Sequence, residues 1–331
     1  MKEGINLSLI SDLQNSKSHC CYFRSSPNEN HKKVLIQITE RCNLKCVHCF
    51  VSSEHDGLDL SVEFFRETLI PYLKSINAER VTLTGGEPLL HSNLFEIIEE
   101  LKAIVGSITV CTNGTVFNLD LGTRLKNYEI LKLNISIDGF SSASHDQFRQ
   151  KKGAFETTIN TIKHCSTLGI LGGILVTPNR LSSAEEYLEL CKFSKINNAK
   201  FILFNPLSNY GRGVINGSQY SLSDDELISL KTKIEELNLG IDTIFANFPL
   251  VNECNNEHCI SGKIRYVFTN GKVVGCPYIE FAKNNSAKYA QHIKNNEIGI
   301  LREGSVLVDK YDSQITNGCI AYEMQKGVQI G

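Results

Sequence analysis

Three cysteines lie close together in the stretch ERCNLKCVHCF, residues 40–50. Cys42, Cys46 and Cys49 are separated by three residues and then by two, and thiolates at such spacings bind soft metals, chiefly zinc or iron–sulfur clusters. A structural zinc site needs four protein ligands. No fourth cysteine lies nearby, although His48 could be proposed for that role. A four-iron cluster on three thiolates leaves one iron open, and this predicts that the missing ligand is the functional position.

The composition is that of a globular protein with reduced thiols. The 331 residues are 41% hydrophobic and 21% charged, and the formal net charge of -2 gives no broad basic field for nucleic acid. No apolar run reaches the roughly 18 residues of a membrane span, and the first residues do not have the pattern of a signal peptide. Twelve cysteines in such a chain predict a cytoplasmic protein whose thiols bind metal or react, with no nucleic-acid or membrane partner.

Hydrophobic patterns predict six strands with helices between them. Apolar, β-branched runs alternate with stretches in which apolar residues recur at helical spacing, as at Leu94, Ile97, Ile98 and Leu101. This alternation is typical of βα units that build a parallel sheet. The predicted strands are 34–39, 80–84, 108–112, 131–137, 173–177 and 200–204.

Polar or glycine-rich motifs come directly after these strands. The cysteine stretch follows the first strand, GGEP (85–88) the second and NGT (113–115) the third. SIDG (136–139) ends the fourth strand, and TPN (177–179) follows the fifth. In βα barrels the carboxyl ends of the strands form the rim on which sites are built, so these motifs are expected to meet at one site.

CNLKCVHC followed by GGEP resembles the radical S-adenosylmethionine (SAM) superfamily, over about residues 34–245. The resemblance implies an α/β fold, a partial (β/α)6 TIM-type barrel. It also implies a [4Fe-4S] cluster on Cys42, Cys46 and Cys49 whose open iron binds SAM. A low-potential electron from an external donor of the flavodoxin or ferredoxin type would cleave SAM. The 5′-deoxyadenosyl radical so formed would abstract a hydrogen atom from the substrate.

The same resemblance assigns residues around SAM. Gly85, Gly86 and Glu87 are expected at the methionine ammonium, and Arg149 at its carboxylate. Further contacts to the ribose, the carboxylate or the adenine are implied for four residues, namely Asn113, Ser136, Thr177 and Asn179. His48 stands where many members have an aromatic residue and could stack on adenine. Cys111 is a candidate hydrogen-atom donor, with filler of the barrel interior as the alternative.

A second set of cysteines lies in the last third of the chain. Cys254, Cys259, Cys276 and Cys319 flank a hairpin-like stretch, RYVFTNGKVVGC, with Asn270-Gly271 as its turn. The arrangement resembles a SPASM domain in its shortened twitch form, which implies one auxiliary [4Fe-4S] cluster on these four thiolates. A zinc site with the same ligands is the alternative.

The expected organisation is an N-terminal arm (1–33), the radical SAM barrel (34–247) and the auxiliary-cluster domain (248–331). The expected function is modification of a ribosomally made peptide by a crosslink, a thioether or epimerisation. A dehydrogenase or epimerase for a small molecule of the aminocyclitol or sugar type is one alternative. A metal-binding or redox-sensing protein without enzymatic activity is the other.

Overall fold

The structure is a computed structural model that describes residues 31–208, 210–246, 264–282 and 294–309. Within these residues ten strands form one sheet, in the spatial order β10-β9-β8-β1-β2-β3-β4-β5-β6-β7. Neighbouring strands from β8 through β1 to β7 are parallel, whereas β8, β9 and β10 pair antiparallel. The strands are β1 (Lys32–Thr39), β2 (Ala78–Gly85), β3 (Ser107–Thr112), β4 (Leu131–Ser136), β5 (Leu171–Val176), β6 (Phe201–Phe204), β7 (Asp242–Phe245), β8 (Ile264–Val267), β9 (Lys272–Val274) and β10 (Glu297–Ile300).

Helices connect the parallel strands. The first, α1, consists of three consecutive segments, Val62–Phe64, the π-helical Phe65–Leu69 and Ile70–Ser75, and a 3₁₀ turn (Pro88–Leu90) follows β2. The others are α2 (Leu94–Lys102), α3 (Leu119–Lys126), α4 (Ser142–Arg149), α5 (Ala154–Leu168), α6 (Ala184–Ile196), α7 (Gly213–Tyr220), α8 (Asp224–Glu236) and α9 (Pro277–Ala282). Among the described residues, no helix is both long and apolar enough to cross a membrane.

Serine side chains fix the starts of several helices. Ser141, Ser183 and Ser223 each accept a hydrogen bond from a backbone N–H in the first turn of α4, α6 and α8. At α8 the Glu226 carboxylate in turn accepts a hydrogen bond from the N–H of Ser223, which completes a capping box. The Ser141 cap matters for function because α4 ends at Arg149.

All six predicted strands are present, and their ends agree with the prediction to within two residues. The α/β fold with a parallel-dominated sheet is therefore confirmed. The sheet is open, because β10 and β7 are its two edges. A seventh parallel strand, β7, adds to β6, and the predicted hairpin with Gly271 in its turn forms β8 and β9.

The two faces of the sheet have different compositions. On β3, Ile108 and Val110 are fully buried and belong to the core beneath the helices, whereas Thr109 and Cys111 face the inside of the curved sheet. The same alternation recurs on β4. Side chains on successive strand residues point to opposite faces, so one apolar layer holds the helices and the other face is left free for polar groups.

Candidate functional site

A cavity of about 460 Å³ lies inside the curve of the sheet. It runs from the amino ends of the strands to the loops at their carboxyl ends, and strands from β8 through β7 contribute to its lining. The predicted site residues that line it are Cys42, Cys46, His48, Cys49, Gly85, Gly86, Cys111, Asn113, Ser136, Arg149 and Thr177. Glu87 and Asn179 are absent from this lining, although the sequence placed them at the site.

The loop that carries the three cysteines is held against two helices. The N–H of Val47 donates to the carbonyl of Phe148 at 3.1 Å, and Val47 packs with Phe148 and Tyr220. Cys46 is buried, whereas Cys42 and Cys49 are partly exposed to the cavity. Burial raises the pKa of Cys42 to about 12 and also raises that of Cys46. Metal binding to these thiols must therefore release protons.

Arg212, the residue just before α7, also fastens the cysteine loop. Its Nε donates to the Cys46 carbonyl at 2.8 Å and its Nη1 to the Ser53 carbonyl at 2.9 Å, while its backbone N–H donates to the Cys49 carbonyl at 3.0 Å. The preceding Gly211 has φ +54°, and a Cβ there would lie 2.4 Å from the Cys49 carbonyl oxygen. The YGRG sequence after β6 is therefore an anchor for the cysteine loop.

Gly85 and Gly86 are required by the chain's own backbone. A Cβ on Gly85 would lie 2.1 Å from the Thr39 carbonyl oxygen, and one on Gly86 would lie 2.1 Å from that of Arg41. The N–H of Gly86 donates to the Thr39 carbonyl at 2.9 Å. These glycines let the start of the cysteine loop lie directly on the end of β2, and Gly85 adopts φ +134°, which is a glycine conformation.

Glu87, which the sequence places at the methionine ammonium, lies just outside the cavity lining. Its carboxylate is fully buried and accepts hydrogen bonds from the N–H of Leu89, the hydroxyl of Thr112 and the N–H of Asn113. Burial raises its pKa to about 7, and the three donors oppose this rise. Thr112 and Asn113 themselves line the cavity, so Glu87 ties the loop after β2 to the end of β3 from behind that lining.

Asp138 was not singled out by the sequence, yet it organises the next part of the site. Its Oδ2 lies 2.6 Å from Nε of Arg149, and its Oδ1 accepts the N–H of Thr177 at 2.8 Å. The Arg149 charge lowers the pKa of Asp138 against the opposing effect of burial. Nη1 of Arg149 also lies 3.8 Å from the Sγ of Cys46. The signal was in the sequence, because Asp138 belongs to the SIDG motif at the end of β4 and lines the cavity together with Ser136.

His48 lies beside this ion pair. Its ring stacks on Phe148 with a centroid distance of 4.3 Å and an interplanar angle of 6°, and its Nε2 is 3.7 Å from Oδ2 of Asp138. Burial lowers the pKa of His48 to about 3, so the ring is neutral near pH 7. The stacking partner of one ring face is thus a phenylalanine of the chain itself.

The remaining predicted contacts divide into two groups. Asn113 lines the cavity; its Nδ2 donates to Oδ1 of Asn43 at 3.0 Å and lies 4.0 Å from Sγ of Cys42. Ser136 and Thr177 also line the cavity. Asn179 is fully buried behind it, where Nδ2 donates to the carbonyls of Asp138 and Thr177. Asn179 therefore ties the loop after β4 to the loop after β5.

Cys111 faces the middle of the cavity from β3. It is paired in register with Asn134 on β4, and burial raises its pKa to about 12. A thiol in this position is neutral near pH 7. Its location is consistent both with a hydrogen-atom donor and with filler of the barrel interior.

One of the four cysteines of the second set lies within the described residues. Cys276 follows β9, and its backbone is bracketed by the side chain of Asn296, whose Oδ1 accepts the Cys276 N–H at 2.7 Å and whose Nδ2 donates to the Cys276 carbonyl at 2.8 Å. The next residue, Pro277, lines the cavity. Cys254, Cys259 and Cys319 lie outside the described residues.

Strands β8 to β10, which the sequence assigned to a second domain, continue the sheet at β1. Residues Lys33 to Ile36 pair in parallel with Ile264 to Val267. Tyr266 on β8 and Ile244 on β7 line the cavity from opposite ends of the parallel array.

The three-cysteine loop has the donor chemistry of an iron–sulfur cluster. Three thiols of one loop line one cavity, with the Arg149 cation next to Cys46 to favour its thiolate. Across the described residues, no three or more Cys, His, Asp or Glu side chains are grouped so that they could hold one metal ion. A four-iron cluster does not need such convergence, because each thiolate binds a different iron.

Comparison with known proteins finds a family match for the first part of the barrel. Residues 36–191 match the model of the Radical SAM superfamily. Among curated relatives, the antilisterial bacteriocin subtilosin biosynthesis protein AlbA of Bacillus subtilis (strain 168) is 32% identical over 179 residues, which are 54% of this chain and 40% of AlbA. Fe-coproporphyrin III synthase of Methanosarcina barkeri is 30% identical over 172 residues, 51% of this chain and 42% of the synthase. The matches thus cover less than half of each relative.

The fold has a solved counterpart. The crystal structure of Streptococcus suis SuiB bound to S-adenosylmethionine superposes with a TM-score of 0.63 at 14% identity, and the match covers 86% of this chain and 66% of SuiB. At this identity the likeness concerns the fold alone. It matches the partial barrel that the sequence predicts.

Proposed function

We propose that this protein is a radical SAM enzyme whose cluster is held by Cys42, Cys46 and Cys49. The observation that carries the proposal is the meeting of this cysteine loop with the loops after β2, β3, β4 and β5 around one cavity. The cluster and SAM, when bound, supply one-electron cleavage of a carbon–sulfur bond and thereby a 5′-deoxyadenosyl radical that abstracts a hydrogen atom from the substrate.

The chain's own residues would bind and orient these groups. Arg212 and the Gly85-Gly86 pair fix the backbone of the cysteine loop. Asp138 orients Arg149, whose guanidinium then faces Cys46 and the cavity with part of its charge already balanced. Asn113 and Ser136 present an amide and a hydroxyl to the same space, where they can bind the polar parts of SAM.

The proposed substrate is a ribosomally made peptide. Two similarities support this class: AlbA is a bacteriocin biosynthesis protein, and SuiB has been crystallised with its precursor peptide SuiA. A small molecule is the second candidate, supported by the similarity to Fe-coproporphyrin III synthase. An external low-potential electron donor completes the proposed system.

An auxiliary [4Fe-4S] cluster on Cys254, Cys259, Cys276 and Cys319 is also proposed. Cys276 supports it, since it is held by Asn296 and its neighbour Pro277 lines the cavity. A cluster there could take an electron from a substrate radical in the same cavity. Zinc on the same thiolates would make the second set structural.

The first test is anaerobic reconstitution with iron and sulfide, followed by metal analysis and an assay for 5′-deoxyadenosine. We expect about eight irons per chain, falling to about four when Cys42, Cys46 and Cys49 are all changed to Ala, because each four-iron cluster is lost with its thiolates. The triple variant should form no 5′-deoxyadenosine. Cys165→Ala is the matched control, since Cys165 is buried on α5 in the apolar core. Unchanged SAM cleavage in the triple variant would refute the assignment.

The substrate class has its own test. A short peptide encoded beside this gene would be made with deuterium at its side-chain and α-carbons and incubated with the reconstituted protein, SAM and dithionite. Deuterium in 5′-deoxyadenosine together with a mass change of the peptide is the expected result. The same assay would be run with a deuterated small molecule that the enzymes of neighbouring genes make or consume. Deuterium transfer from that molecule and not from the peptide would replace the peptide proposal with the second candidate.

A further inference from the structure

Four cationic side chains line the amino-terminal end of the cavity. Lys33 on β1, Arg80 on β2, Lys132 on β4 and Lys200 just before β6 all contribute to its lining, and we call these four residues the basic layer. The cysteine loop lies at the other end of the same cavity. The formal net charge of the chain is -2, yet positive charge is concentrated at this end of the cavity.

Strand register places the basic layer at one level of the barrel. Lys33 pairs with Arg80, and Arg80 pairs with Ser107 on β3. Lys132 pairs with Thr109, two residues further along β3, as expected for strands that are staggered around a curved sheet. The N–H of Lys200 donates to the Gly172 carbonyl at 2.8 Å, at the start of β5.

Charged side chains are unusual at the amino-terminal end of a barrel interior. The amino-terminal interior of a βα barrel is normally filled by branched apolar side chains. Here Lys33, Arg80 and Lys132 are partly buried, and Lys200 lies exposed at the mouth of the cavity. Four cations in one layer repel each other, and partial burial strengthens the repulsion because less water screens it.

The described lining of this end contains one acidic residue, Asp242, which is exposed at the start of β7. Lys132 has a further polar partner, since its Nζ donates to the Gly169 carbonyl at 2.9 Å. Burial lowers the pKa of Lys132, and the neighbouring Lys200 lowers it further. Burial also lowers the pKa of Arg80, against the opposing effect of the adjacent Glu79 carboxylate outside the lining. The layer thus retains an excess of positive charge, and an anion inside it would relieve this cost.

We propose that the basic layer binds an anionic group of the substrate, a carboxylate or a phosphate, while the reacting carbon lies at the carboxyl end of the cavity. Arg80 offers a planar pair of donors for such a group, and the lysines offer ammonium donors around it. The proposal rests on the proposed function, because it assumes that the substrate reacts beside the cysteine loop.

The length of the cavity sets the distance between the anionic group and the reacting carbon of the substrate. Lys132 and Ser136 are four residues apart on β4, which is about 13 Å at the ~3.3 Å rise of a parallel strand. In an extended peptide, this distance separates residues that are about four positions apart. The anchored group is therefore an acidic side chain or a C-terminal carboxylate three or four residues from the modified residue, or a phosphate at a similar distance in a small molecule.

The test is a binding measurement that needs no turnover. The reconstituted full-length protein would be titrated anaerobically in a calorimeter with inorganic phosphate and, separately, with N-acetyl-triglutamate. The variants are Arg80→Gln with Lys132→Gln, the charge-preserving Arg80→Lys with Lys132→Arg, and the surface control Lys126→Gln on α3.

The wild type should bind at least one probe, and loss of two cations should weaken binding about 100-fold, at about tenfold for each charged hydrogen-bond donor. The charge-preserving variant should bind within about tenfold of wild type, because the cations remain even though the donor geometry changes. Lys126→Gln should not alter affinity. Binding of phosphate alone indicates a phosphorylated substrate and binding of triglutamate alone an acidic peptide, and either supports the anion site.

Failure of both probes to bind the wild type would overturn the proposal, as would equal affinity in the double glutamine variant. A parallel assay of 5′-deoxyadenosine formation in the wild type keeps the two proposals apart. Absence of SAM cleavage would refute the proposed function while anion binding stood, whereas SAM cleavage without anion binding would refute only the basic layer as a binding site.

Discussion

Arg212 offers a sharp test of how the cysteine loop is positioned. The side chain donates to the carbonyls of Cys46 at 2.8 Å and Ser53 at 2.9 Å, which lie on either side of Cys49 in the loop. Replacement by Gln removes the charge and shortens the reach, so both carbonyls lose their charged donor. The prediction is that Arg212→Gln weakens the cluster site while the core of the barrel stays folded.

The size of the effect follows from these two bonds. A hydrogen bond from a charged donor contributes about 1.5–3 kcal/mol, so the pair supports the loop by about 3–6 kcal/mol. If only half of the lower end of this range acts on cluster binding, cluster affinity already falls about tenfold, since about 1.4 kcal/mol corresponds to a factor of ten. The full lower value corresponds to more than 100-fold.

The assay is the rate at which a strong iron chelator removes iron from the reconstituted protein. A Cys276→Ala background restricts the measurement to the first cluster. Arg212→Lys should fall between wild type and Arg212→Gln, because a lysine retains the charge but not both donors. Arg124→Gln is the control, since Arg124 lies over the ring of Phe95 on the helical surface. Chelation rates within twofold of wild type for Arg212→Gln would contradict this account.

Three further changes test other parts of the site. Asp138→Asn should destabilise the chain by about 3–5 kcal/mol, because it leaves the buried Arg149 cation without its carboxylate, and urea unfolding of the metal-free protein measures this; a loss below about 1 kcal/mol would argue against a structural ion pair. Gly86→Ala should abolish cluster loading, since the new Cβ would lie 2.1 Å from the Arg41 carbonyl oxygen, and normal iron content would show that the loop can move aside. Burial raises the pKa of Glu87 to about 7. Its contribution to stability is therefore greatest at pH values below the pKa that it has in the unfolded chain, and it is lost as the pH rises through 7. The unfolding free energy of wild type relative to Glu87→Gln should accordingly fall by about 1.4 kcal/mol between pH 6 and pH 8, and a pH-independent difference would refute the raised pKa.

The strands and their order were predictable because their information is local. A run such as VLIQIT is apolar and rich in β-branched residues, and a stretch with helical spacing follows later, so each βα unit identifies itself without reference to its neighbours. Motifs that directly follow such strands must lie at one edge of a parallel sheet. This reasoning brought Cys46, Asn113 and Thr177 to one cavity, as the structure has them.

The destinations of individual polar side chains were less predictable. Glu87 is expected at the methionine ammonium, and in the structure its carboxylate accepts hydrogen bonds from Thr112 and Asn113 at the end of β3. Asn179 was likewise expected at the site and lies behind it, bound to the Asp138 carbonyl. A motif fixes the position of a residue along the chain, whereas the direction of its side chain depends on which donors a neighbouring loop brings within hydrogen-bond distance.

By itself the sequence determined the α/β class, the parallel strands and the closely spaced cysteines, since periodicity and spacing are properties of consecutive residues. The tertiary structure alone decided that Arg212 grips the cysteine loop, that Asp138 pairs with Arg149, and that Lys33, Arg80, Lys132 and Lys200 form one layer. These residues are far apart along the chain and gain their roles from strand register and sheet curvature. Both are set by long-range packing, which no local pattern encodes.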